Sequence, residues 1–211
     1  MKKILLGSLL LGNFIFGQEQ DQKLDKTLQL KGNLLTLPVG MLNVGVEKQL
    51  SEHYTVQADV FVSPWKSFAG KHAQVYLLGF DGRYYFDKAF KRFYVGANLS
   101  GGYYNIQKWN YWHDDFYTHK DGEITPYIES NLYQEGFTFV IGAVGGYQFQ
   151  WNDHWGLDIY LGIGNMQSFY KGYDKLSGDR YDDGGDSMGH VWNRSGEWLP
   201  YRGGVMLTYK L

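Results

Sequence analysis

The side chains best equipped for chemistry fall in two stretches. Residues 105–135 contain His113, Asp114, Asp115 and His119. Imidazole and carboxylate are ligands for divalent metals. Their spacing is not that of a helical His-Glu-x-x-His site. Around them stand Trp109, Tyr111, Trp112, Phe116 and Tyr117. These five aromatics form a candidate recognition surface for a glycan or a protein, because exposed Tyr and Trp are favoured at such surfaces. A metal held by the His/Asp cluster is the alternative. Residues 166–197 contain Asp179, Asp182, Asp183 and Asp186, with Gly184 and Gly185. The order departs from the D-x-D-x-D-G pattern of a calcium loop. The stretch reads as a solvated acidic loop, with a calcium site as the alternative. Divalent ions could also bridge it to lipopolysaccharide.

Nucleophilic hydrolysis needs a serine, a histidine and an acid within reach of one another. The histidines are His53, His72, His113, His119, His154 and His190, and none stands in a His-x-Ser pair. His53 and His154 fall in short turns between strands. No catalytic residue and no cofactor is assigned, and the expectation is a non-enzymatic protein.

The elements that carry these loops are read from alternation. Apolar and polar residues alternate over 41–49, 54–63, 74–86, 93–104, 137–149, 157–163 and 203–211. Period two means strands, since successive side chains point to opposite faces. A less regular strand lies near 28–37. Eight strands, an even number, suit a closed antiparallel sheet. Short connections at 51–53, 87–92 and 152–155 alternate with a turn around Pro38 to Gly40, a medium loop from Pro64 to Lys71, and the two long loops. Short turns on one edge and long loops on the other are the layout of an outer-membrane barrel. The expected fold is all-β: an eight-stranded antiparallel transmembrane β-barrel with short periplasmic turns and two long extracellular loops, 105–135 and 166–197.

Alternation alone does not say which face is inside. Three features point the apolar face outward. Aromatics cluster at strand ends, as in Tyr84-Tyr85-Phe86, Phe93-Tyr94 and Tyr103-Tyr104, which suits interfacial girdles. The polar face is crowded with glycine, which suits a narrow lumen. The strand ending in Val205, Leu207, Tyr209 and Leu211 looks like the terminal signal by which outer-membrane barrels are recognised. On this reading Lys31, Glu47, Asp59, Asp81, Arg83, Asp158, Arg202 and Lys210 point into the lumen. Unpaired charges there would be costly, so an internal ion-pair network is expected. Eight strands leave an interior filled by side chains, so no diffusion pore is expected.

The chain has 211 residues, 18% of them aromatic, with 28 Gly and no Cys. Absence of cysteine excludes a disulfide scaffold and a thiolate metal site. Lys2 and Lys3, an apolar run from Ile4 to Phe16 and small Gly17 read as a secretory signal peptide. The expected domains are a signal peptide at 1–17, a short segment at 18–27 and the barrel at 28–211. With the signal removed, 18 basic against 22 acidic residues give a net charge of −4. That argues against nucleic acid as a partner.

Several pieces carry a family resemblance: LKGNLLTL (30–37), NVGVE (43–47), Pro64-Trp65, GRYYF (82–86) and VGANLSGGYYN (95–105). So do residues 142–164 and YRGGVMLTYKL (201–211). Together these resemble a Gram-negative family catalogued as domain of unknown function 3575. The resemblance implies an outer-membrane β-barrel. Some relatives stand in fimbrial gene clusters, which implies a surface or assembly role. It assigns no catalytic residues.

The expectation is therefore a non-enzymatic outer-membrane barrel with a side-chain-filled lumen. Its function would be surface binding, adhesion or appendage assembly through its two long loops. Outer-membrane lipid surrounds it, and lipopolysaccharide, a surface protein or a glycan is the ligand. The alternatives are a lipid-modifying enzyme or small-solute conduit in the same membrane, and a soluble exported lipocalin-like barrel.

Overall fold

The computed structural model describes residues 27–119, 122–182 and 192–211. The expected signal peptide at 1–17 and residues 18–26 of the short segment lie outside the described residues.

Eight long-range strands form a ring: β1 (Leu28–Asn33), β2 (Leu42–Gln49), β3 (Tyr54–Phe68), β4 (Lys71–Tyr85), β5 (Arg92–Ile106), β8 (Leu132–Gln150), β9 (Trp155–Asp174) and β10 (Asn193–Lys210). Between β5 and β8 a small hairpin, β6 (Phe116–Thr118) and β7 (Ile124–Ile128), forms a separate two-stranded sheet. Every pairing in the ring is antiparallel, in the order β1-β10-β9-β8-β5-β4-β3-β2. Closure is made by β1 against β10, from Gln29↔Lys210 to Asn33↔Met206. The fold has no free sheet edge in the ring, which removes the usual site of edge-to-edge pairing. Among the described residues no helix is long and apolar enough to cross a membrane.

Strand parity puts polar residues inside. Glu47, Thr55, Gln57, Asp81, Arg83, Asn98 and Asp158 are buried. Their neighbours along the same strands point out: Val44 and Val46, Val56 and Val60, Leu78 and Phe80, Leu99, Ile159 and Leu161 are exposed. Phe80 is 52% exposed while Asp81 beside it is 3%. This reverses the usual arrangement, in which charged residues are almost never fully buried unless paired.

The strands run further than alternation indicates. β3 and β4 extend to a two-residue tip, Ala69 and Gly70, both at positive φ (50° and 81°). Positive φ at both positions matches the right-handed twist of a hairpin. So the medium loop expected from Pro64 to Lys71 is strand apart from this tip. β5, β8, β9 and β10 also continue, and the long connections shrink to 107–131 and 175–192. In these upper parts, such as LYQEG and NMQSFYKGYD, both faces carry polar and aromatic groups. Alternation fades there because neither face is uniformly apolar. The first strand is shorter than expected: it stops at Asn33, and a 3-10 turn covers Leu37–Val39.

One irregularity shapes the lumen. The β9–β10 register shifts between Pro200 and Arg202. Proline cannot donate to a ladder and is found at bulges. The extra residue lets Tyr201 and Arg202, adjacent in sequence, both line the interior.

Candidate functional site: a charged floor beneath a capped cavity

The lower lumen is filled by charge. Lys31 from β1 reaches Asp158 of β9 at 2.6 Å and also pairs with Glu47 of β2. Arg83 of β4 spans three carboxylates. Its Nη1 donates to Glu47 at 3.1 Å and to Asp158 at 3.0 Å. Its Nε and Nη2 hold Asp81 at 3.1 and 2.8 Å. Arg202 of β10 extends the network upward, from Nη2 to Asp81 at 2.7 Å and from Nη1 to Asp59 of β3 at 3.0 Å. Ring closure brings these partners together: Lys31 and Asp158 are 127 residues apart.

Neutral groups complete the floor. The Tyr94 hydroxyl donates to Asp158 at 2.8 Å, and the Arg83 guanidinium lies 4.6 Å from the centre of the Tyr94 ring. The Tyr85 hydroxyl stands 2.9 Å from Glu47 and 2.8 Å from Gln148, and Thr55 donates to Glu47. Asn98 donates to the other oxygen of Asp81 at 2.6 Å, and Gln148 donates to Gln29 at 2.6 Å. Charged groups this deeply buried persist only when paired and hydrogen-bonded. Room for the large cations comes from glycine. A Cβ at Gly162 would sit 2.7 Å from the Arg202 Cγ, and one at Gly79 would meet Arg202 Nη1 and Asp59 Oδ1 at 3.0 Å.

Beneath the floor the β4–β5 turn folds under the ring. Ala89 and Phe90 are buried against Tyr85, Tyr94, Val144, Tyr160 and Met206. Phe90 sits at φ 68° and Arg92 at φ 60°. Such angles are costly for side chains with a Cβ and persist when the surroundings enforce them. Here the burial of the Phe90 ring is what the turn secures.

The expected network is thus seven residues, not eight. Lys210 lies apart at the short-turn edge. Its backbone N donates to the carbonyl of His154 at 2.7 Å, and its side chain borders a shallow hollow with Asp87, Arg92 and Asp153. It is the last residue of β10, so its inward parity aims it past the end of the lumen. Tyr85, Tyr94, Thr55, Gln29, Gln148 and Asn98 were not among the expected site residues. Parity alone places Tyr85, Thr55 and Asn98 on the charged face.

Above the floor the lumen opens into a cavity of about 500 Å³. Asp59, Arg202, Asn43 and Tyr160 lie at its lower end, where Tyr160 donates to Asn43 at 3.2 Å. Phe61, Val75, Leu77, Ile106 and Met166 give it apolar walls, and Tyr104, Tyr170 and Tyr201 add aromatic ones. Pockets of this size, mostly apolar with a few polar groups, are the usual form of small-molecule sites.

A cap stands over the long-loop end. Tyr111, Leu132 and Tyr181 form its core, with Tyr117 and Tyr127 packed against them. Gln107 donates to the carbonyls of Tyr111 and Ser130, both at 2.8 Å, and Lys175 donates to Gln107 at 2.9 Å. Asp182 accepts from Arg180 at 2.6 Å and from the backbone of Gly172 at 2.7 Å. Burial pushes the hydroxyls of Tyr111, Tyr117 and Tyr181 above the ordinary tyrosine range. Burial, and then neighbouring Lys71, holds the Lys175 ammonium below its ordinary value.

The five aromatics read as a recognition surface divide. Trp109, Trp112 and Phe116 are exposed, Trp109 by 80%. Tyr111 is buried in the cap core and Tyr117 is packed on it, its ring 5.9 Å from that of Tyr111. A ring buried in the cap core is not free to touch a partner, so Tyr111 leaves the candidate surface, and Tyr117 keeps only its half-exposed edge there. Among the described residues no group of three or more His, Asp or Glu side chains gathers to hold a metal. The ring of His119 lies edge-on to Tyr117 instead. Asp179 and Asp182 flank the cap, while Asp183, Asp186, Gly184, Gly185 and His190 lie outside the described residues. His53 and His154 face the carbonyls of Tyr85 and Lys210, and His72 faces the Asn105 amide while stacking on Tyr133.

No curated protein and no solved structure matches this chain. A family model matches residues 7–195, which include all of the ring except the greater part of β10. The chain therefore belongs to the family described as protein of unknown function (DUF3575).

Proposed function

We propose that the protein is a non-enzymatic eight-stranded barrel of a bacterial outer membrane, closed to diffusion, that acts by recognition at its cap. The observation that carries this reading is the reversed surface. The ring presents Val, Leu, Ile and Phe outward and holds seven charged side chains within. Lipid satisfies such an exterior, and a closed strand ladder is one of two structures that satisfy the backbone in lipid. The network, with Phe90 beneath it, supports a lumen without a through-path. Glu47, Asp81 and Asp158 are spent on cations, hydroxyls and an amide, which favours a structural role over an enzymatic one.

The ligand class follows from the cap. Trp112 is exposed, and the Lys71 ammonium lies 6.0 Å from its ring centre. Lys175 is close enough to Lys71 for their charges to oppose each other. Aromatic faces beside paired cations suit a glycan that carries phosphate or carboxylate, of the lipopolysaccharide-core kind.

Two measurements test the reading. Heat-modifiable migration on gels and a requirement for detergent are expected; a monomer folded without detergent overturns the membrane assignment. Phosphorylated, lipid-free core oligosaccharide is expected to bind the detergent-folded protein, and its dephosphorylated form to bind at least several-fold more weakly. The pair Lys71→Ser and Trp112→Ser should abolish binding without altering heat-modifiability. Equal binding of the two oligosaccharides overturns the ligand class.

A further inference from the structure

We propose that the lumenal cavity above the charge floor is a binding site for a small organic cation, an alkyl- or arylammonium ion. The seven floor residues are three cations, Lys31, Arg83 and Arg202, and four carboxylates, Glu47, Asp59, Asp81 and Asp158. The floor thus carries one negative charge more than it balances. Lys108 and Glu197, higher on the cavity wall, offset each other.

The surplus charge lies at the cavity. Of the four carboxylates, Asp59 is the one that lines it. Its Oδ1 accepts from Arg202 at 3.0 Å and from Gln57 at 3.3 Å. Both of these bonds fall on one carboxylate oxygen, Oδ1. The other three carboxylates are enclosed by their partners on the floor.

Tyr104, Tyr160, Tyr170 and Tyr201 line the cavity. Two of these rings already carry cations: Arg202 lies 5.3 Å from the centre of Tyr160, and Lys108 lies 5.1 Å from that of Tyr170. Among the described residues the Tyr201 hydroxyl oxygen and the Arg202 Nε are buried without a partner. Aromatic rings attract ammonium ions through the negative face of the ring, and more strongly where water is excluded. An anion would meet the surplus carboxylate charge, and a neutral ligand would leave it unbalanced. This site is independent of glycan recognition at the cap: failure of oligosaccharide binding would leave it standing.

The test uses the whole protein folded in a non-ionic maltoside detergent, titrated by calorimetry. Benzyltrimethylammonium is the cationic probe, neopentylbenzene its neutral isostere and phenylacetate the anionic control. One saturable site for the cation is expected, at least roughly tenfold tighter than for the isostere, with no binding of phenylacetate. Asp59→Asn makes the floor neutral and should weaken the cation roughly tenfold while leaving the isostere unchanged. Absence of saturable cation binding, a preference for phenylacetate, or an unchanged affinity in Asp59→Asn overturns the proposal. Should Asp59→Asn fail to fold, Tyr104→Leu against Tyr104→Phe decides. The leucine variant should bind several-fold more weakly than the phenylalanine one, and equal affinities overturn the proposal.

Discussion

The two ends of the lumen are built on opposite principles. The floor is held by charge across six strands, with partners as far apart in sequence as Lys31 and Asp158. The cap is held by tyrosine rings and amide hydrogen bonds from segments near one another at the mouth. Removing one member of the floor strands buried charges. Removing one ring from the cap opens a space that water can enter. The floor therefore couples to closure of the whole ring, and the cap forms a local unit on top of it.

The sharpest test of this contrast is Arg83→Met. It removes the donor that serves Glu47, Asp81 and Asp158 together and leaves the floor with two cations against four carboxylates. Loss of one partner from a buried ion network costs about 3–5 kcal/mol. Denaturant unfolding in detergent should show a loss of that size. A loss under about 1 kcal/mol would mean that the network is hydrated and that the floor resembles an exposed ion pair. Glu47→Gln should cost less than Arg83→Met. It removes one of the four carboxylates and so cancels the surplus charge, although Lys31 keeps only Asp158.

Tyr181→Ala addresses the other end. Its hydroxyl accepts from Gln134 at 3.0 Å, and its ring packs on Tyr111 and Tyr117. Loss of a large buried aromatic costs about 3–5 kcal/mol where the core is cooperative with the rest. The expected outcome here is different: protease cleavage within 107–131 rises by an order of magnitude, while the global unfolding midpoint moves little. Equal shifts in both readouts would merge the cap and the ring into one cooperative unit.

The cap also has a pH signature. Burial raises the pKa of Tyr111, Tyr117 and Tyr181 above the unfolded value of about 10. A raised pKa means that the folded cap binds its protons more tightly than the unfolded chain. Its contribution is therefore complete below about pH 10 and is lost as pH rises toward the folded values. Cap proteolysis should increase above about pH 10, with tyrosinate absorbance lagging that of free tyrosine. Absorbance that follows free tyrosine would show the three rings to be solvated.

The same contrast explains what could be read from sequence. Strand parity identified the charged face because each inward residue, such as Asp81 or Arg83, alternates with an outward apolar one, such as Phe80 or Tyr84. That signal needs a membrane-like or apolar environment on one face only. Past residue 104 on β5 and residue 163 on β9 it disappears, and the tall upper wall reads as loop. The cap gave no parity signal at all. Tyr111 and Trp112 are adjacent aromatics, yet one is buried and the other exposed. Which of them turns inward is set by the 3-10 turn at Trp109–Tyr111 and by packing on Tyr181, neither of which is periodic. The cavity was hidden for a related reason. It depends on the bulge at Pro200/Arg202, which changes the parity of β10 partway along.

Lys210 supplies the smallest expected effect and the finest edge to the comparison. By parity it belongs with Lys31 and Arg83, and by position it does not. The floor ends at Asp158, and Lys210 pairs in register with Gln29, below Lys31. The residue borders the shallow hollow among the turns and is half-buried. A charge with access to water gains little from a neighbour and loses little without it. Lys210→Ala should change stability by no more than about 0.5 kcal/mol. The same substitution at Lys31 should cost several times more, because it strands Glu47 and Asp158 in the dry interior. Equal losses at the two positions would mean that the charged interior reaches the turn edge. The seal made by Phe90 would then not mark the bottom of the lumen.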